Sequence, residues 1–146
     1  MATSARKFFS GADESLIVQA IAKAESEISG EIRVHIDSEF KGDVLDRAAY
    51  IFKKLGMTKT IHRNGILFYL AVQSRKFAVI GDKGINQKVQ EGFWEAITDS
   101  MAEQFKQGNF AAGLAEGIEK AGVELKKHFP AEKNNLNELT DEISIA

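Results

Sequence analysis

The stretch RNGILFYLAV (63–72) begins with an Asn-Gly turn signal and continues as an almost wholly apolar run. A few residues later, KFAVIGDKG (76–84) provides a second apolar run, which ends in glycines around an aspartate. Two such runs separated by a few polar residues predict a β-hairpin with its turn at residues 73–76. Because both strands are apolar on both faces, we expect them in the centre of a sheet that is covered on two sides.

Segments on either side of the hairpin predict the remaining elements. Before it, a helix follows the capping residues Ser10 and Asp13, EIRVHID (31–37) alternates like a half-exposed strand, and a second helix runs from about residue 42 to 55. After it, two helical segments end at Pro130. This order of elements predicts a three-layer α/β/α domain around a small mixed β-sheet.

The overall composition limits the classes of function and location. The chain has 146 residues, a net charge of −2 and no cysteine. Its length favours one domain, its charge gives no basis for nucleic-acid binding, and the lack of cysteine excludes disulfides and thiolate metal sites. The sequence shows no apolar core of a signal peptide and no apolar run long enough to span a membrane. We therefore expect a cytoplasmic location without direct membrane insertion.

The predicted topology brings polar residues from three strands to one edge of the sheet. A strand–helix–strand crossover makes its two strands parallel, so strands 31–37 and 65–72 begin at the same end. The returning strand, 77–81, finishes there. The residues expected at this edge are Glu31, Asn64 and Asp82, with Gly30, Gly65, Gly81 and Gly84 beside them.

The chemistry of this edge favours a hard cation, because carboxylate, amide and carbonyl oxygens are the ligands of Ca²⁺ and Mg²⁺. A hairpin turn centred on Ser74 and Arg75 would place Asp82 opposite Leu67, on the order of 10 Å from Asn64. A simpler interpretation stays open, in which Asn-Gly forms an ordinary turn and Asp82 satisfies loop amides.

Two cations next to Asp82 leave a further choice open. Arg63 and Lys83 could hold a phosphate group, or they could neutralise the carboxylate of Asp82. An ion pair that occupies Asp82 would count against a metal at this position.

A second acidic cluster follows the strand 31–37. Asp37, Asp43 and Asp46 would lie at the opposite end of the sheet, either as a metal site or as caps of the next helix. His35, on the polar face of the strand, is expected to be a partly exposed packing residue. The sequence contains no G-x-S-x-G elbow and no Ser-His-acid pattern.

Several motifs together resemble the soluble branch of the bacterial TPM domain family, also called TPM phosphatase. They are RNGILFYLAV, KFAVIGDKGI, a Trp-containing helix, GNFAAGLAEGI and HFP, in this order. The resemblance covers residues 6–130 and leaves 131–146 as a mobile acidic tail. It implies an α/β/α sandwich with a Rossmann-like appearance. It also implies binding of calcium or other divalent ions, as in some relatives, and the weak acid phosphatase activity assigned to a plant-type branch.

The family pattern can be carried over residue by residue, with one departure. Arg63 stands where the family has the first aspartate of an Asp-Asn-Gly turn, which removes a ligand and places a cation nearby. Bacterial relatives often neighbour LemA-type membrane proteins, so the resemblance implies a membrane-associated protein partner. The matching positions are Gly30, Glu31, Asn64, Gly65, Gly81 and Asp82.

The sequence thus predicts a TPM-like binding or regulatory module that takes Ca²⁺ or Mg²⁺ through Glu31, Asn64 and Asp82. One alternative is a weak metal-assisted phosphomonoesterase, in which Arg63 or Lys83 would stabilise the charge of the phosphoryl group. A second alternative is a metal-free protein-interaction scaffold. Whether the chain is an enzyme is left open.

Overall fold

The sheet has four strands in the residues that the computed structural model describes, which are 4–132 and 143–145. The strands are β1 (Glu31–Asp37), β2 (Gly65–Ala71), β3 (Lys76–Gly81) and β4 (Ser144–Ile145). They lie in the order β3-β2-β1-β4, with β1 parallel to both β2 and β4, and β3 antiparallel to β2. The predicted three-layer α/β/α architecture around a mixed sheet is confirmed.

Helices cover both faces of this sheet. The described helices are α1 (Ala5–Phe8), α2 (Gly11–Ser26), α3 (Val44–Lys54), α4 (Lys83–Asn86), α5 (Phe93–Lys106) and α6 (Phe110–His128), and a 3-10 turn spans Met57–Lys59. The Oγ of Ser10 accepts a hydrogen bond from the amide of Asp13, so the predicted cap of α2 is confirmed. Asp43 caps α3 in the same way, and Gly56 ends that helix with a φ of 77°.

The two faces of the sheet differ in what covers them. Helices α2, α5 and α6 pack on one face, against the alternate apolar residues of β1 and β2, and build the larger part of the core. Helix α3 packs on the other face, against β2 and β3. The larger cluster includes Ile32, Val34, Ile36, Ile66, Phe68 and Leu70, and the smaller includes Ala48, Ile51, Phe52, Leu67 and Tyr69.

β1 is buried on both faces, so the predictions of a half-exposed strand and of a partly exposed His35 are wrong. Its four polar residues, which alternate with the apolar ones, are only 2–8% exposed. Polar groups tolerate burial when hydrogen bonds replace those they made with water, and donors from neighbouring elements do this for Asp37. The four are Glu31, Arg33, His35 and Asp37.

The prediction that both hairpin strands are central holds for β2 and is wrong for β3. β2 is buried along its whole length between β1 and β3. β3 is an edge strand of the described sheet, with Lys76 exposed and Phe77 half-buried. Both strands read as apolar because helices cover both sides of each, and an apolar pattern alone does not distinguish a central strand from a covered edge strand.

The register of the hairpin also differs from the prediction, by two residues. Ala71 pairs with Lys76 and Ile66 pairs with Gly81, so the turn covers residues 72–75, one residue earlier than expected. The amide of Asp82 then donates to the carbonyl oxygen of Gly65 at 3.0 Å. Asp82 therefore lies beside Gly65, and its offset from Asn64 along the strand falls from three residues to one.

The end of the chain contributes to the sheet. Residues 143–145 lie along β1, with His35 opposite Ser144 and Ile36 opposite Ile145. These residues are thus held in place, whereas a mobile tail was expected for 131–146. Residues 133–142 lie outside the described part of the chain, so for them that expectation and the domain boundary at 130 remain predictions. None of the described helices combines the length and apolar character needed to cross a membrane.

Candidate functional site

The amino-terminal end of β1 and β2 brings the predicted site residues together, as the topology required. Glu31 pairs with Gly65 across the two parallel strands, and Asp82 bonds to Gly65 from the third strand. Glu31, Asn64 and Asp82 are buried, with exposures of 2%, 1% and 7%. A cluster of buried polar side chains at one edge of the sheet therefore exists where the sequence predicted it.

Arg63 occupies the carboxylate of Asp82. Its Nε donates to Oδ2 at 2.6 Å and its Nη2 donates to Oδ1 at 2.8 Å, which is a two-pronged ion pair. The amide of Lys83 donates to Oδ1 as well, at 2.8 Å, so Asp82 caps the short helix α4. Of the two interpretations of Arg63 and Lys83, the structure thus favours neutralisation of Asp82, and Arg63 provides it.

Two glycines make the close packing of this site possible. A Cβ atom on Gly30 would lie 2.8 Å from the carbonyl oxygen of Asn64, and a Cβ on Gly84 would collide with the carbonyl oxygen of His62. Any larger residue at either position would push the strand ends or the loop apart. Gly65 and Gly81 lie at the neighbouring strand ends and complete the predicted set.

Asn64 carries an oxygen that lacks a partner in the described part of the chain. Its amide nitrogen Nδ2 donates to Ser29 Oγ at 3.4 Å and its backbone amide donates to Thr60 Oγ1 at 3.3 Å. Its Oδ1 is buried and accepts no hydrogen bond from any described residue. Buried acceptors without a partner are uncommon and indicate strain or a missing partner.

The described residues include no cluster of three or more Asp, Glu or His side chains placed to hold a metal ion. The oxygens of Asp82 are also engaged with Arg63. The amino-terminal end therefore fits a hard cation at Asp82 only when Arg63 leaves its carboxylate.

A second polar cluster lies at the opposite end of β1. The sequence predicted Asp37 at this end of the sheet but missed its contacts with the side chains around it. Asp37, which is 3% exposed, accepts hydrogen bonds from Arg47 Nε at 2.8 Å and from the hydroxyl of Tyr69 at 2.5 Å. His35 Nε2 lies 2.9 Å from Asp37, and His35 Nδ1 lies 2.9 Å from the Oγ of Ser144. Three elements, β1, α3 and β2, thus meet at the carboxylate of Asp37, and His35 connects this carboxylate to β4.

The environment of this cluster determines its protonation. Burial alone would raise the pKa of Asp37, but the hydrogen bonds from Arg47, Tyr69 and His35 outweigh burial and hold that pKa at about 2. Burial lowers the pKa of His35 despite its bond to Asp37, and burial raises the pKa of Tyr69. A neutral His35 next to an ionised Asp37 carries its proton on Nε2, so Nδ1 accepts from the hydroxyl of Ser144.

Ser144 bonds to His35 and His35 bonds to Asp37, which is the succession of side chains in a nucleophilic triad. No such pattern was apparent in the sequence. Arg47 and Tyr69 already neutralise and bond Asp37, which weakens its support of His35 as a base. All three triad residues lie in paired strands. This arrangement is better suited to holding β4 against β1, and we call it the Asp37 cluster.

The acidic residues beyond β1 act separately. Asp43 accepts hydrogen bonds from the amides of Leu45 and Asp46 and so caps α3. Helix capping was one of the two interpretations of these acidic residues. One signal could have revealed the Asp37 cluster from sequence. The register that places β1 beside β2 also puts His35 opposite Tyr69, and Asp37 is the next residue on the same face.

Comparison with known proteins identifies the family. The model of the TPM domain family matches residues 3–124 of the chain. The chain belongs to the TPM domain family. A comparison with curated proteins gave no match.

Solved structures agree with this assignment. This TPM domain is similar to the BA42 protein of the psychrophilic bacterium Bizionia argentinensis, known from an NMR structure, with 46% identity, a TM-score of 0.89, and 95% of this chain and 96% of that chain covered. It shares its fold with the N-terminal domain of a protein from P. gingivalis, at 22% identity and a TM-score of 0.69 over 84% of this chain and 79% of that one. The N-terminal domain of the cg2496 protein of Corynebacterium glutamicum has 18% identity and a TM-score of 0.66 over 88% and 80% of the two chains.

Proposed function

We propose that this TPM domain is a binding and regulatory module that takes a divalent cation, Ca²⁺ or Mg²⁺, at the amino-terminal end of β1 and β2. Asp82 and Asn64 would supply oxygen ligands, with Glu31 beside them at the same strand ends. The observation that carries this proposal is the side-chain oxygen of Asn64, which is buried and accepts no hydrogen bond from the described residues.

The Arg63–Asp82 ion pair counts against a metal bound permanently at Asp82, so the proposed site is one that opens when Arg63 leaves. The side chain of Arg63 is 35% exposed, whereas that of Asp82 is 6% exposed. Arg63 can therefore swing into water while Asp82 stays in place, because a partly exposed guanidinium recovers hydration when it leaves. Asp82 would then exchange the guanidinium of Arg63 for the metal ion. Because Asp82 is buried, this exchange would be favoured over a carboxylate left without a cationic partner.

A change of partner at Asp82 would act on the loops attached to it. Arg63 belongs to the connector before β2, and Asp82 caps α4. Release of Arg63 would reorganise residues 56–64 and 81–88, and these loops would then present an altered surface to a protein partner. A LemA-type membrane-associated protein remains the predicted partner, and the cytoplasmic location also stays a prediction.

Backbone amide NMR titration with CaCl₂ and then MgCl₂ tests the proposal. The wild-type domain should show saturable shifts near residues 30, 64 and 82, and Asp82→Asn should remove them. Arg63→Gln should strengthen binding several-fold, because it frees Asp82 without removing an oxygen ligand. Arg6→Gln, which changes an exposed arginine of α1, serves as the matched control and should titrate like the wild type.

Two outcomes would contradict this function. Shifts that map to residues 37–46 would move the site to the opposite end of the sheet. If neither the wild type nor Arg63→Gln shows saturable shifts at millimolar metal, the domain is the metal-free interaction scaffold of the second alternative.

The first alternative, a weak metal-assisted phosphomonoesterase, draws on the cations near Asp82. The guanidinium of Arg63 and the side chain of Lys83, which is exposed at the start of α4, could receive a phosphoryl group once Asp82 binds a metal. Hydrolysis of p-nitrophenyl phosphate with Mg²⁺ measures this directly. Turnover that is lost in both Asp82→Asn and Arg63→Gln would favour the enzyme, whereas metal binding without turnover would favour the module.

A further inference from the structure

We propose that an open aromatic groove, on the other side of the sheet from Asp82, binds an anionic amphiphile with a carboxylate head and an acyl or aryl body. The groove lies between α1, the hairpin turn, α5 and the start of α6, and its volume is about 720 Å³. Its apolar wall is formed by Phe8, Leu70, Phe77, Phe105 and Phe110. We call this feature the Phe groove. It is independent of the function proposed above.

The wall of the Phe groove is a continuous row of aromatic rings. The ring of Phe8 lies 5.1 Å from that of Phe110, Phe110 lies 5.1 Å from Phe105, and Phe105 lies 4.9 Å from Phe77, measured between centroids. All four rings are half-buried, while Leu70 behind them is 2% exposed. Adjacent apolar side chains that stay open to solvent around a buried floor are typical of a binding site.

The size of the groove favours a small molecule. Pockets for drug-sized ligands and cofactors enclose roughly 300–1,000 Å³, and the volume of about 720 Å³ falls in this range. A chain of methylene groups or a fused ring could contact all four phenylalanines, since the row of rings is contiguous. An apolar body of medium length is therefore the expected part of the ligand inside the groove.

The charge of the lining determines the head group. The charged residues that line the groove are Arg75 and Lys106, and no acidic residue belongs to its described lining. Both side chains are exposed at the rim. A carboxylate placed there would meet two cations, whereas a cationic head would be repelled by both. Charge complementarity thus assigns a negatively charged amphiphile to this site.

The backbone of Arg75 supplies a second reason to regard the rim as functional. Arg75 adopts a φ of 54° in the hairpin turn, a left-handed conformation that glycine or asparagine adopts at lower cost. An arginine in this place loses stability in exchange for a cation at the mouth of the groove. Strained residues of this kind are concentrated at ligand sites.

NMR titration of the full chain with sodium decanoate, below its micelle concentration, tests the proposal. Saturable amide shifts should appear in residues 70–77 and 102–110. Decyltrimethylammonium has the same tail and the opposite charge, so it should not saturate these shifts over the same concentrations. The pair of probes separates charge recognition from general affinity for apolar chains.

Three variants examine the parts of the site separately. Arg75→Asn removes the cation and suits the left-handed turn, so it should weaken decanoate binding about fivefold without loss of stability. Lys106→Gln should have a similar effect, and Lys88→Gln, an exposed lysine outside the groove, should have none. Ala102→Phe fills the groove from α5 and should abolish binding.

The results that would overturn the proposal are distinct. Equal binding of both amphiphiles would show an apolar surface without head-group selection. Shifts in the groove that appear with protein concentration alone would show that a second copy of the chain covers it. The absence of saturable shifts with decanoate, in a domain whose spectrum is otherwise folded, would exclude the ligand class.

Discussion

Two buried carboxylates at opposite ends of the sheet are each held by a partly exposed arginine, and they differ in their other partners. Among the described residues, Arg63 is the one side-chain partner of Asp82, and the side chain of Arg63 is 35% exposed, against 24% for Arg47. Asp37 has Arg47, Tyr69 and His35 as partners and sits between β1, α3, β2 and β4. The two ion pairs have similar hydrogen-bond geometry. We expect that only the Arg63–Asp82 pair can open without disturbing the core.

This difference distinguishes the proposed binding site at Asp82 from the structural role of Asp37. A buried carboxylate with several donors stabilises the fold as long as every donor stays in place. A buried carboxylate whose single side-chain partner is partly exposed can change that partner only when another cation takes its place, because a buried charge without a partner is costly. Measurements that distinguish the two ends therefore also test where function resides.

The largest effect is expected from removing the charge of Asp37. Asp37→Asn should lower the free energy of unfolding by about 3 kcal/mol, because Arg47 and Tyr69 then lose a buried ionised acceptor. Urea denaturation of Asp37→Asn and Asp82→Asn measures the contrast, and the second variant should lose clearly less. Equal losses would mean that the two ends do not differ in the way their surroundings indicate.

An intermediate effect should follow acidification. The pKa of Asp37 falls from 3.8 to about 2 in the folded protein, so its contribution is present above about pH 4 and is lost as the pH falls towards 2, about 2 kcal/mol in all. Burial also lowers the pKa of His35 below 6.5. His35 therefore takes up a proton more readily in the unfolded chain than in the folded protein, and the free energy of unfolding declines as the pH drops below about 6.5.

Urea midpoints between pH 7 and pH 5 isolate the contribution of His35. His35→Gln should flatten the decline in this interval, since glutamine does not titrate. Gln90→Ala, at an exposed residue that does not titrate, is the control and should leave the decline as it is in the wild type. An unchanged slope in His35→Gln would show that other groups cause the loss.

The smallest effect concerns β4. Ser144→Ala removes the hydroxyl that donates to His35, and we expect a loss of about 1 kcal/mol or less. The more sensitive readout is hydrogen exchange of the Ile145 amide, which should become faster while exchange near Asp82 stays unchanged. Ser100→Ala, which changes a serine bound to Glu116, is the control. Unaltered exchange at Ile145 would mean that strand pairing alone holds β4.

Much of the fold could be predicted from local patterns. The capping residues Ser10 and Asp13, the alternation in 31–37 and the apolar runs around the hairpin correctly predicted helix, strand and strand pairing. The predicted polar edge also formed, since parallel pairing of β1 and β2 brings Glu31 and Gly65 together. The register of the hairpin was wrong because a turn of four polar residues permits more than one closing pair.

The Asp37 cluster shows why site prediction was incomplete. His35 and Asp37 alternate with apolar residues, and this alternation is typical of a strand with one solvent-exposed face. Burial of that face depends on Arg47 from α3 and on Ser144, which is more than a hundred residues further along the chain. No local pattern contains that information, because the partners meet only after the layers have packed.

The sequence by itself determined which segments become helices and strands, that β1 and β2 run parallel, and that oxygen ligands gather at one edge. These features follow from periodicity, capping and chain connectivity, which act over a few residues or through the handedness of a single crossover. Tertiary structure alone decided that Arg63 neutralises Asp82, that the polar face of β1 is buried, and that four phenylalanines line one groove. Those outcomes depend on desolvation and charge between distant segments, and the free energy of each contact is defined only once its neighbours exclude water.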